Sequence, residues 1–141
     1  MTQSKFLTRS ELLPSKRPLR FYPIHCAEIV LWKDVRHKHK DVHVRVYVWR
    51  TLGEMREING MRRTEKVYAL CWQQTHKVFA ELHFAATALQ SDLIAHEQIH
   101  AMEHLSRLLD LDMEDHEDEE IKCEIGGLLN YLVTDELAKV V

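Results

Sequence analysis

The spacing of apolar residues changes once along this chain, and that change limits the folds open to it. Val42, Val44, Val46 and Val48 alternate strictly with His43, Arg45, Tyr47 and Trp49. This is the period of a strand with one buried face, built from β-branched residues that suit a pleated surface. Residues 24–32 and 67–73 read as further strands, and residues 78–84 put Val78, Ala80, Leu82 and Phe84 on one face with Phe79, Glu81 and His83 on the other. From residue 87 to 109 the spacing becomes helical, through Leu89, Leu93, Ile94, Ala101, Leu105, Leu108 and Leu109, with no Gly or Pro to interrupt it. Thr87 or Ser91 is the expected cap. An acidic connector over residues 110–118 leads to a second helix over residues 118–137, with Ile121, Ile125, Leu128, Leu129 and Leu132 as its buried stripe. Acidic residues at its start suit the positive end of the helix dipole. Strands first and helices after predict an α+β fold, an antiparallel sheet of three or four strands packed on two helices.

The remaining segments are read as connections. The 141 residues suit one domain, and residues 1–23, which hold Pro14, Pro18 and Pro23, read as a loosely structured arm with a short helix near Ser10 to Leu13. Residues 33–41 are dense in charge and read as a loop or hairpin end, residues 53–66 are polar with a turn at Gly60, and residues 74–77 form a tight connection. With 45% hydrophobic residues and only 4 Gly and 3 Pro, the chain is neither disordered nor collagen-like.

Charge and cysteine usage narrow the compartment and the partners. Residues 1–66 carry 15 Lys/Arg against 7 Asp/Glu, and residues 67–141 carry 4 against 15. A basic half suits nucleic acid, and an acidic half suits a solvated face or a cation site; two halves that face and neutralise each other fit equally. The densest basic stretch, residues 36–45 with Arg36, His37, Lys38, His39, Lys40, His43 and Arg45, is read as a solvated hairpin end in preference to a nucleic-acid contact, because no nucleic-acid motif accompanies it. Cys26, Cys71 and Cys123 are widely spaced, odd in number and without a C-x-x-C pair. This argues against a disulfide framework or zinc ribbon and for a reducing compartment. No apolar leader and no spanning-length apolar run are present, so a soluble, cytoplasmic protein without a membrane partner is expected.

Chemistry concentrates at His96-Glu97-Gln98-Ile99-His100, an H-E-x-x-H sequence inside the first long helix. Residues four apart share a helix face, so the two imidazoles can bind one Zn²⁺ together while Glu97 acts on the nucleophilic water. A third protein ligand is needed, and the second helix offers Glu120, with Glu124 one turn further on and Glu119 as the competing choice. An antiparallel helix pair would bring Glu120 back towards the histidines. His104 continues the His96–His100 stripe, but three histidines along one straight helix diverge too far to chelate one ion well, which makes it a neighbour of the site or a surface residue. His83, His116 and Tyr131 are the candidate donors for a developing oxyanion, with a packed role favoured for Tyr131. Cys123, beside Glu124, reads as a buried thiol in preference to a soft ligand.

The set His96, Glu97, His100, Glu120 and Glu124 resembles the gluzincin pattern of zinc metallopeptidases, typified by the thermolysin family. The likeness spans roughly residues 78–132, and the length is similar to that of minimal zincins, including small bacterial and phage-encoded proteins. The resemblance implies His96, His100 and Glu120 as zinc ligands and Glu97 as general base and proton donor. It implies that Glu124 orients a ligand imidazole, although the family usually places Asp there. It further implies that the strand before the active helix borders the cleft and pairs with an extended peptide or protein substrate. The alternative is a non-catalytic module that uses the same scaffold to block or sense a macromolecular partner.

Overall fold

A computed structural model describes residues 2–6, 22–35, 38–74 and 79–140. The chain runs β1 (Thr2–Phe6), β2 (His25–Val35), β3 (Lys38–Trp49), α1 (Leu52–Ile58), β4 (Ala69–Gln74), β5 (Phe79–Ala85), α2 (Ser91–Leu108) and α3 (His116–Ala138), with a 3-10 turn at Ala86–Ala88 before α2. The strands form one five-stranded sheet in the order β1-β2-β3-β5-β4.

The α+β class follows the periodicity, but the sheet is mixed, not antiparallel, and has five strands instead of three or four. β3 and β5 run parallel, with Val46 opposite Leu82, while the other neighbours are antiparallel. Parallel neighbours require a long crossover. Here α1 and the loop after it carry the chain past β3 to the sheet edge, where β4 runs back. β5 then returns between β4 and β3. Alternation assigns faces to residues and says nothing about which strand lies beside which.

Several connections turn out to be ordered elements. Thr2–Phe6, expected in a loose arm, is a strand that pairs with β2 through Ser4 and Ile29. The short helix expected near Ser10 lies outside the described residues. The β2–β3 hairpin runs through the charged stretch as far as Val35 opposite Lys38, because backbone pairing does not require apolar side chains. α1 falls in the segment read as polar loop. Its cap was legible, since the Thr51 hydroxyl accepts the Glu54 N–H at 3.2 Å, an S/T-x-x-E start, but seven residues are too few to reveal a helical period. Gly60 does turn the chain, with φ of 77°. α2 begins at Ser91, and its cap position, Gln90, makes no side-chain capping bond, so neither Thr87 nor Ser91 serves as the cap.

The sheet separates two apolar clusters. Ile29, Val44, Val46, Val48, Ala80, Leu82 and Phe84 pack against Ala101 and Leu105 of α2, Leu109, and Ile125, Leu129, Val133 and Leu137 of α3. On the opposite face, Cys26, Tyr47, Trp49 and Ala85 meet Met55 of α1. Glu136, fully buried near the end of α3, accepts from His25 Nε2 at 3.1 Å and from Lys139 Nζ at 3.0 Å. A buried carboxylate persists only with such partners, and this one ties α3 to β2.

Gly126 and Gly127 sit mid-helix in α3. A Cβ on Gly126 would meet Met102 at 3.7 Å, and one on Gly127 would meet nothing within 4 Å. Gly127→Ala is therefore expected to stabilise the fold by about 1 kcal/mol through the lost backbone freedom of the unfolded chain. The check is a higher urea midpoint at unchanged m-value.

Candidate metal centre

α2 lies against β4 and β5, with α3 along its other flank. His96 and His100 stand one turn apart on its exposed side, with their Nε2 atoms 3.1 Å from each other and ring centroids 4.8 Å apart. Two imidazole nitrogens that close require a proton on one of them or a cation between them. Two Zn–N bonds of about 2.0–2.1 Å at a tetrahedral angle would hold their nitrogens about 3.3 Å apart, so the pair fits zinc in both chemistry and separation.

Glu97 is buried beside the pair, with Oε1 3.9 Å from His96 Nε2. Burial pushes its carboxyl above the usual carboxylate range, while His96 and His100 pull it the other way. A carboxylate raised in this way is a better proton acceptor than an exposed one. Cys71 of β4, which the motif reading did not single out, belongs to the same neighbourhood. It pairs across the strand with Leu82 and packs towards α2. Burial, and then the charge of Glu97, push its thiol up to about 12. Residues 67–73 read only as a strand, and nothing in the sequence linked Cys71 to Glu97.

The other site residues lie elsewhere. Glu119, Glu120 and Glu124 are exposed on α3, as are His116 at its first position and Tyr131, which is 68% exposed. The α3 residues that meet α2 are different ones: Lys122, which donates to Glu103 at 2.7 Å, and Gly126 beside Met102. Among the described residues no three His, Cys, Asp or Glu side chains gather closely enough to hold a metal ion. The structure thus unites His96, Glu97 and His100 without bringing Glu120 to them. His104 accepts from Arg107 at 2.8 Å, and partial burial, followed by Arg107 and His100, holds its pKa below the usual imidazole value. Cys123 is exposed, not the buried thiol expected.

Two expectations about the cleft change as well. The strand before α2, β5, is interior, and the edge belongs to β4, which has no partner on its outer side among the described residues. His83 is on the face of β5 turned away from α2 and is buried under Tyr47, so it is not a cleft donor. In the basic stretch, Arg45 donates to Glu28 at 2.9 Å and His43 Nδ1 lies 3.7 Å from the same carboxylate; Arg36 and His37 lie outside the described residues. No helix among the described residues is long and apolar enough to cross a membrane. No family model, curated protein or solved structure matches the chain.

Proposed function

We propose that the chain is a zinc-dependent hydrolase of peptide bonds, of the zincin type that its H-E-x-x-H helix resembles. The observation that carries this reading is the convergence of His96 Nε2 and His100 Nε2 to 3.1 Å, with the buried carboxyl of Glu97 beside them. Zinc, when bound by the two imidazoles, would lower the pKa of water and polarise a carbonyl. Glu97 takes the proton of the attacking water and passes it to the leaving amine. The outer edge of β4, unpaired among the described residues, offers backbone groups to an extended peptide, the arrangement expected of a peptide substrate. Glu120 and Glu119 are the carboxylates to test for a third ligand position.

The first test is metal content after loading with zinc, followed by titration of variants. One zinc per chain is expected. His96→Ala and His100→Ala should each weaken zinc binding by more than about 10-fold, the cost of disturbing even a ligand's hydrogen-bond partner. Absence of zinc binding in the unaltered chain would sink the proposal. The second reading, a binding module without turnover, is favoured by the absence of a gathered third ligand among the described residues. Bound zinc with no hydrolysis across a broad protein and peptide panel would select it.

A further inference from the structure

His83 is a buried ionisable group that the proposed chemistry leaves unused, and its protonation state is fixed by its neighbours. The Trp49 indole N–H donates to His83 Nδ1 at 3.0 Å. An indole nitrogen can only donate, so Nδ1 carries no proton and the ring is the neutral Nε2–H form. Among the described residues Nε2 is buried without a hydrogen-bond partner, with Glu81 Oε1 3.5 Å away. Asn59, the residue that ends α1, places its amide nitrogen 3.4 Å from Nδ1. That amide cannot turn round to offer its oxygen instead. Its Oδ1 already accepts from Trp72 at 2.8 Å, and its Nδ2 already donates to the Met55 carbonyl at 2.7 Å. A proton added at Nδ1 would face two donors and no acceptor.

The groups around the ring do not relieve this. From β5 the Glu81 carboxylate lies on the Nε2 side, away from Nδ1. From β3 come Tyr47, stacked on the ring at 4.6 Å, and Arg45, whose charge is engaged by Glu28 of β2. β2 also contributes the buried Cys26, and α1 contributes Glu54, which is bonded to Arg50. β4 contributes Trp72 through Asn59 and no charged group. We infer that α1 is an acid-released latch on the far face of the sheet, held shut by an uncharged His83 whose Nδ1 cannot accept a proton while Asn59 is docked. Because Asn59 Oδ1 also accepts from Trp72 of β4, release of α1 removes that hydrogen bond while β4 stays paired with β5. The inference does not depend on zinc or on hydrolysis.

The sign follows from burial. Desolvation, the largest effect, holds the imidazole below its usual value, and Glu81 only partly offsets it. The closed form therefore binds fewer protons than the open one. Its advantage is complete above the ordinary imidazole range, about pH 6.5, and is lost as the pH falls below it.

The test is amide hydrogen exchange of the full chain from about pH 8 to about pH 4.5, corrected for intrinsic exchange, with the Trp49 indole and the His83 ring followed by NMR. Expected is a loss of protection in α1 of at least about 10-fold at the acid end, in step with a change in the Trp49 indole signal. His83→Gln, whose side-chain oxygen can accept the indole N–H but cannot ionise in this range, should remove the pH dependence. The inference is overturned if α1 protection does not change with pH, or if His83→Gln loses protection as the parent does. If that variant does not fold, the parent chain decides: opening of α1 while the His83 ring is still neutral overturns the latch, and opening in step with its protonation supports it.

Discussion

Under the proposed function, Glu97→Gln is expected to lower the hydrolytic rate by about 10²–10⁴-fold, the range lost with a general base, while leaving zinc content unchanged. The amide matches the carboxylate in volume, so His96 and His100 keep their packing, and it cannot take up a proton. The same substitution has a second consequence of opposite sign. Burial raises the Glu97 carboxyl, which means that the fold disfavours its ionised form at neutral pH. Gln removes that cost, and the variant should melt at or slightly above the parent temperature in the metal-free state. Loss of rate with retained zinc and undiminished stability is the signature of a group held in an unfavourable state for chemistry. An unchanged rate would remove Glu97 from the mechanism, and a collapsed fold would show that its role is structural.

The legibility of this molecule divides along physical lines. Faces were readable in large part: Val44, Val46 and Val48, Leu82 and Phe84, and Leu105, Ile125 and Leu129 are buried where their periods place them, whereas Leu128, expected in the same stripe as Leu129, is exposed. The His96–His100 pair was readable too, because spacing along a single helix fixes the relation between its own residues. Relations between elements were not. The parallel pairing of β3 and β5, the edge position of β4 and the approach of Cys71 to Glu97 depend on where a crossover sets the chain down, and no local pattern encodes that. His83 is the instructive case. Alternation assigned it correctly to the face opposite Leu82, yet which face meets α2 and which meets α1 emerges only in the packed sheet.

The rotation of α3 makes the second large effect, and it bears directly on Glu120. Leu129 is fully buried between the sheet and α2, while its neighbour Leu128 is 39% exposed. Leu129→Ala is expected to cost about 2–5 kcal/mol, the lost transfer energy of the side chain plus the cavity it leaves. Leu128→Ala should cost less than about 1 kcal/mol, since the side chain remains partly in water in the folded state. Denaturant unfolding of the two variants gives the comparison directly. Glu120 precedes Leu129 by nine residues, which at about 100° per residue places the two on opposite sides of the helix. Rotating α3 to turn Glu120 inward would therefore expose Leu129 and forfeit much of the energy that the substitution measures. If Leu129→Ala has the larger cost and zinc does not alter it, the helix keeps this rotation in the metal-bound protein, and Glu120 is not a ligand within the chain. If zinc instead lowers the cost of Leu129→Ala towards that of Leu128→Ala, the helix has turned and Glu120 regains its place in the ligand set.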